Sequence, residues 1–330
     1  MSDRATVDFL ATVALLEGQE ETDLVELARV MRLRTVREGE TIWRQGDHPR
    51  EMLFVVDGAV SASLDVTGDR AVDIGHAGPG DTVGEIAMLD GDGHTMSARA
   101  TETATVLALS RPDFLAMLAG RHRSALRLTR SLVALLTARL GNQLGHLAVS
   151  LGSEMADPGA PGPTAGFADL ERCGPPDSRY VRRMATFHDV DPLALWGLLT
   201  SGTYVRCPPG RTLVAEGEPS TAYHLTINGA VERVLIRGTR RIRVGLAGPG
   251  RAFGYEGLID GLPSPVTAIA RERALLLELP PDPFGRLFGA EDGIARVFLD
   301  VIQRDIMVSM RQTLPALARG PGARPAAPDG

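Results

Sequence analysis

Ala77-Gly78-Pro79-Gly80-Asp81-Thr82-Val83-Gly84-Glu85-Ile86-Ala87-Met88-Leu89 returns later in the chain as Ala247-Gly248-Pro249-Gly250-Arg251-Ala252-Phe253-Gly254-Tyr255-Glu256-Gly257-Leu258-Ile259. Outward from this pair, Gly39, Gly46 and Gly58 recur as Gly210, Gly217 and Gly229, and Asp90-Gly91 recurs as Asp260-Gly261. The offset is 171 residues at Gly39 and Gly210 and becomes 170 at Gly80 and Gly250, after a one-residue deletion in a hairpin. The chain is therefore an internal duplication of one β-rich module. Glycine alone takes φ > 0 without steric cost, so glycines at fixed spacing between short apolar runs close strand after strand.

A chain of 330 residues has room for two such modules, each able to bury its own core. No lysine occurs, so all 35 basic residues are arginines and Schiff-base chemistry is excluded. The arginine bias is read as the mark of a GC-rich genome. Residues 1–160 hold 23 acidic residues and 15 arginines (net −8), against 18 and 20 (net +2) in 161–330, which argues against a general nucleic-acid binder. Cys173 and Cys207 form no metal or redox spacing, no secretory signal is recognisable, and no apolar stretch is long enough to cross a bilayer. A cytoplasmic protein away from the membrane is expected.

Apolar residues at three- and four-residue spacing from Phe9 to Leu16 and from Leu24 to Ala28 predict two short helices. From Arg34 to about Leu109 apolar and polar residues alternate between turns, with Met52–Val56, Val60–Leu64 and Thr105–Leu109 the clearest strands. Beyond Arg111-Pro112 the period turns helical and predicts a helix over Ser124–Leu151. Its seam of Leu126, Thr129, Val133, Leu136, Leu140, Gln143 and Leu147 suits either a parallel coiled coil with a second copy or packing on its own domain. A homodimer through 124–151 is the reading adopted. The second module has helical material over Tyr180–Ser201, strands from Tyr204 to about Leu279 and a helix over Ile294–Leu314. The expected division is a first domain at 1–151, a Pro/Gly-rich linker at 152–179, a second domain at 180–318 and a disordered tail at 319–330. The fold class is mainly β with flanking helices: two antiparallel, jelly-roll-like β-rolls, each followed by a long helix.

The spacing Gly39-x6-Gly46-Asp47-x10-Asp57-Gly58-x-Val60, followed by Gly78-Pro79-Gly80-Asp81-x2-Gly84-Glu85-Ile86-Ala87, resembles the cyclic-nucleotide-binding domain of catabolite activator proteins and of the regulatory subunits of cyclic-AMP-dependent kinase. The likeness covers about Phe9–Leu151 and Tyr180–Leu314. The resemblance implies a phosphate-binding cassette in which Gly84, Glu85, Ile86 and Ala87 open a short helix toward a cyclic phosphate and Glu85 accepts from a ribose hydroxyl. It also implies an arginine nine residues after that glutamate, gripping the phosphate. Here that position is His94, followed by Thr95, whose hydroxyl either contacts the ligand or faces solvent. Loss of the arginine weakens binding by about 1.5–3 kcal/mol, or tenfold to a hundredfold. A histidine at its ordinary pKa would be largely protonated at pH 6, so tighter binding at pH 6 than at pH 8 is expected.

In the second module Gly254 is kept, but Tyr255 replaces the glutamate and Ser264, between Pro263 and Pro265, replaces the arginine. That pocket is expected to bind no ordinary cyclic nucleotide. Arg233, Arg237, Arg240, Arg241 and Arg243, with Arg251 nearby, are expected to stand outward from a solvated hairpin. Arg182-Arg183-Met184-Ala185-Thr186 is taken as helix surface, and His48, His76, His94 and His122 are scattered too singly to hold a metal. No catalytic residue, metal or cofactor is expected. The chain reads as a non-enzymatic regulator whose ligand is cyclic AMP or cyclic GMP, with an unidentified protein partner. No helix-turn-helix follows either module, so direct DNA binding is not expected. The alternative is a scaffold or adaptor with two vestigial pockets.

Overall fold

The structure, a computed structural model, describes residues 3–48, 50–66, 70–150, 170–237, 240–317 and 324–325. The chain divides into two compact units, the first reaching Leu135 and including the short strand at 324–325, the second running from Leu136 to Leu317.

In the first unit, helices α1 (Asp3–Leu10) and α2 (Glu21–Val30) precede strands β1 (Arg32–Val36), β2 (Thr41–Trp43), β3 (Glu51–Asp57), β4 (Val60–Val66), β5 (Arg70–Ala77) and β6 (Thr82–Val83). Helix α3 (Glu85–Asp90) follows, then β7 (Ser97–Ala100), β8 (Ala104–Ser110), α4 (Arg111–Ala119) and α5 (Arg123–Ser150). The strands form two antiparallel sheets, ordered β1-β8-β3-β6 and β5-β4-β7-β2. Val36, Leu53, Val55, Val60, Val106 and their neighbours from both sheets make one core. The turn from β8 into α4 is sealed by Ser110, whose Oγ accepts from the Asp113 amide at 3.1 Å, with proline in the first turn. The start of α5 is pinned to α2: Ser124 Oγ donates to Glu26 at 2.7 Å, and Arg127 pairs with Asp23 at 2.5 Å and with Glu20 at 3.0 Å.

The second unit repeats this order. After β9 (Glu171–Cys173), α6 (Ser178–Arg182) and α7 (Pro192–Leu199) come β10 (Thr203–Cys207), β11 (Thr212–Val214), β12 (Tyr223–Asn228), β13 (Val231–Arg237), β14 (Arg240–Ala247) and β15 (Ala252–Phe253). They lead to α8 (Glu256–Asp260), β16 (Thr267–Ala270), β17 (Ala274–Leu279), α9 (Pro281–Gly289) and α10 (Gly293–Leu317). The sheets run β9-β10-β17-β12-β15 and β14-β13-β16-β11, which apart from the added edge strand β9 repeats the order of the first unit's strands. Even the bulges are duplicated: the register breaks at Val55/Asp57 and Thr226/Asn228, at Ala62/Ser63 and Arg233/Val234, and at Thr41/Trp43 and Thr212/Val214. Gly58 (φ +80°) and Gly229 (φ +81°) show why the ladder repeats. A Cβ on either would sit 2.5 Å from a backbone carbonyl, Thr103 or Arg273, so only glycine closes this turn.

Three expectations change. The seam of α5 is covered within one chain: Leu126, Thr129, Val133, Leu136, Leu140 and Leu147 are buried. Half-buried Gln143 accepts from Thr313 Oγ1 at 3.3 Å. These side chains are not free to face a second copy, because a three-four spacing serves intrachain packing as well as a coiled coil. Part of the predicted linker is ordered: β9 pairs with β10, and Glu171 is ion-paired with Arg206, while residues 151–169 lie outside the described residues. Of the predicted tail, the described residues are 324–325, a two-residue strand, β18 (Arg324–Pro325), paired with β5.

Candidate functional site

All six residues singled out in the first module, Gly84, Glu85, Ile86, Ala87, His94 and Thr95, line one open cavity. Trp43 of β2, Ala62 of β4 and Ser97 of β7 complete much of its wall. Gly84 sits at φ +96° just before α3, where a Cβ would press to 3.0 Å on the Glu51 carbonyl and 3.2 Å on the Trp43 indole. The chain can therefore enter α3 this close to β3 only through glycine. Glu85 is buried and its Oε1 accepts from Thr82 Oγ1 at 2.6 Å, which fixes the carboxylate at the wall of the cavity.

His94 is held by its backbone. Its carbonyl accepts from Gly46 N–H at 2.8 Å and its N–H donates to Asp47 O at 2.9 Å. The second module makes the same pair of bonds, Gly217 N–H to Ser264 O at 2.9 Å and Ser264 N–H to Glu218 O at 2.8 Å. His94 and Ser264 are thus structural equivalents. The imidazole stacks on Trp43 with ring centroids 4.2 Å apart and planes 10° from parallel, and only 4% of the residue is exposed. Trp43 is itself oriented by an Nε1–H bond to Met96 O at 3.2 Å. Trp43 was missed in the sequence, where it reads as one more apolar strand residue. Arg99 does not substitute as a cation in the pocket: its Nε donates to Gly39 O at 3.0 Å.

Burial drives the His94 pKa down to about 4, with Asp47 opposing only in part. The ring of the unliganded site is therefore neutral at pH 6 and at pH 8, and the ordinary pKa expected for it is corrected. A stability effect follows. His224, fully buried in β12, is likewise lowered to about 3 by burial. Unfolded histidine takes up its proton near pH 6.5. Both residues then contribute stability that is complete above about pH 6.5 and is lost as pH falls toward the folded values. Chemical denaturation at pH 7 and pH 5 is expected to show a loss of roughly 1–2 kcal/mol attributable to His94, absent in His94→Gln. Equal pH slopes in the two proteins would remove the assignment.

In the second module Gly254 is again left-handed, at φ +75°. Tyr255 is buried and its hydroxyl donates to Asp305 Oδ2 of α10 at 2.8 Å. Ser264 is buried and turned to its own loop, donating to Val266 O at 2.8 Å. The arginine hairpin is not wholly outward. Arg233 is buried and ion-paired with Asp305 at 2.7 Å, Arg251 reaches the same carboxylate at 2.6 Å, and Arg237 pairs with Glu216 at 2.8 Å. Arg241 and Arg243 are exposed as expected. The strand register explains the split: Val231, Arg233 and Leu235 alternate onto the inner face, as Val60, Ala62 and Leu64 do in β4.

The cyclic nucleotide-binding domain family matches at residues 33–121 and again at 204–291, each time across one roll and its cassette. The chain belongs to this family. Among curated relatives, it is 35% identical over 105 residues to a cyclic nucleotide-gated potassium channel of Mesorhizobium japonicum, covering 32% of this chain and 28% of the channel. It is 34% identical over 121 residues to the cyclic AMP receptor protein of Thermus thermophilus, covering 37% of this chain and 53% of the receptor. The chain thus spans only about a quarter to a half of these relatives. Among solved structures, the regulatory domain of Toxoplasma gondii PKA with cAMP is similar at TM-score 0.33 and 17% identity, covering 88% of this chain and 93% of that one. The Thermus thermophilus catabolite activator protein is similar at TM-score 0.35 and 26% identity, covering 42% and 68%. As a tandem cyclic nucleotide-binding domain protein, the chain carries two unequal cassettes: Glu85 with His94 in the first, Tyr255 with Ser264 in the second. Among the described residues no helix is long and apolar enough to cross a membrane, and no cluster of three His, Cys, Asp or Glu could hold a metal ion.

Proposed function

We propose that this chain is a non-enzymatic regulatory protein whose first roll takes a cyclic nucleotide, cyclic AMP or cyclic GMP, with weakened affinity, and whose second roll takes none. The observation that carries this reading is the placement of Glu85 against Thr82 in the wall of a cavity it shares with His94 and Thr95. Glu85 would accept from the ribose, and neutral His94 would offer one hydrogen bond where an arginine would offer a charged fork. Ligand drawing α3 inward would pull on α4, because Arg111 at the head of α4 donates through Nε to the Met88 carbonyl of α3 at 3.2 Å. Helix α5 follows α4 directly and carries the movement on.

The output is a protein contact in a reducing cytoplasm, in keeping with two free cysteines. Leu193 and Trp196, 79% and 62% exposed, lie on one face of α7 and give a partner apolar surface to cover. A second reading, an adaptor with two vestigial pockets, is favoured by the stacked, neutral His94, which leaves no cation among the side chains lining the first cavity.

Thermal-shift titration of the full-length protein with cyclic AMP and cyclic GMP separates the two. A saturable rise in melting temperature that Glu85→Ala abolishes is the expected result for a sensor. No shift at millimolar ligand would leave the adaptor.

A further inference from the structure

The second roll fills its own pocket. By the repeat offset, Arg233 stands where Ala62 lines the first cavity, Tyr255 where Glu85 does, and Glu256 where Ile86 does. All three are buried, and Arg233 and Tyr255 converge on a carboxylate that comes from outside the roll, Asp305 of α10. Asp305 Oδ2 accepts from Arg233 Nη1 at 2.7 Å and from Tyr255 Oη at 2.8 Å, while Oδ1 accepts from Arg251 Nε at 2.8 Å and lies 2.6 Å from Arg251 Nη2. Arg233 Nη2 also donates to Ser309 Oγ, one turn further along α10, at 2.6 Å. Glu256 Oε1 stands 3.8 Å from Arg233 Nη1, so the two guanidinium groups face two carboxyls.

Two arginines and a phenol hydroxyl directed at both oxygens of one carboxylate make a built oxyanion site. Among the described residues the first roll shows no such site. Its counterparts of Arg233 and Arg251 are Ala62 and Asp81, and the residue of α5 matching Asp305 is Leu135. We propose that the second pocket is an oxyanion-binding site, of the class that takes carboxylate or phosphate, and that its resident ligand is the chain's own Asp305. The space left open beside Ala62 in the first roll is closed here, and α10 is latched to its roll without any small molecule. This stands on the geometry of the second unit alone and does not depend on ligand binding by the first.

The test is chemical rescue in the full-length protein. Asp305→Ala removes the resident carboxylate and leaves its donors facing a small void. Its melting temperature is expected to fall by about 10 °C. Sodium acetate or formate, compared with sodium chloride at equal ionic strength and pH, is expected to restore several degrees of that loss saturably. The same salts are expected to leave the unchanged protein and Asp305→Asn, whose amide still fills the site, where chloride leaves them. A folded Asp305→Ala protein that responds to acetate no more than to chloride overturns the proposal, as does an equal acetate response in Asp305→Asn. Should Asp305→Ala fail to fold, Arg251→Ala decides. Arg251 has a side chain 22% exposed and its loss is tolerable, and amide exchange through the middle of α10 is expected to rise at least about tenfold. Unchanged exchange there overturns the latch.

Discussion

His94→Arg will tighten binding of cyclic AMP to the full-length protein by tenfold to a hundredfold. The side chain at this position sits in the cavity wall on a backbone pinned to Gly46 and Asp47, so a new side chain starts from a fixed point. Arginine supplies a charge that does not titrate and a planar fork that meets two phosphate oxygens at once. Hydrogen bonds to charged groups contribute about 1.5–3 kcal/mol, and each 1.4 kcal/mol is a factor of about ten. The new group also keeps the local packing, because a guanidinium lies flat on an indole as the imidazole of His94 now does on Trp43. Calorimetric titration checks it, with adenosine as the control. The gain belongs to the phosphate, so cyclic AMP must gain and adenosine must not. A dissociation constant for cyclic AMP within threefold of the unchanged protein's would show that His94 does not face the phosphate.

The second large effect is on stability. Arg233→Ala is expected to cost about 3–5 kcal/mol, since it strips the innermost partner from a fully buried Asp305 and leaves the carboxylate to Arg251 and Tyr255. The first repeat carries this alanine already: by the repeat offset Ala62 matches Arg233 and Leu135 matches Asp305. Rebuilding that apolar pair as Arg233→Ala with Asp305→Leu should recover at least about half of the loss, because a buried ion pair and a packed apolar pair are close in net stability while half an ion pair is not. Urea denaturation of the two variants beside the unchanged protein gives the comparison. If the double variant is no more stable than Arg233→Ala, the ion pair has no part in the cost.

Much of the fold was legible because turns make local demands. A position that needs φ > 0 asks for glycine whatever lies around it, so Gly58 and Gly229 repeat with their turns, and the ladder shows two copies of one roll. The cassette was legible through its resemblance to the family's spaced glycines and Gly-Glu-Ile-Ala segment. Gly84 through Ala87, His94 and Thr95 lie within a dozen residues of one another, and the fold brings them to one cavity together with Trp43 and Ala62.

What the sequence left open turned on partners distant in the chain. His94 was assigned an ordinary pKa, and only its burial against Trp43, fifty-one residues earlier, makes it neutral. The α5 seam has the same spacing whether a second copy or its own chain covers it, and only the packing shows that its own chain does. Arg233 is one arginine among several in its hairpin, and nothing near it in sequence marks it as internal. Its partner Asp305 stands seventy-two positions away. Backbone conformation is decided by each residue and its immediate neighbours, so sequence determined the two rolls and the position of the first cassette. Charge state and burial depend on which distant side chains the fold brings within a few ångströms, so only the tertiary structure could decide that the first pocket lacks a cation and that the second is filled by its own helix.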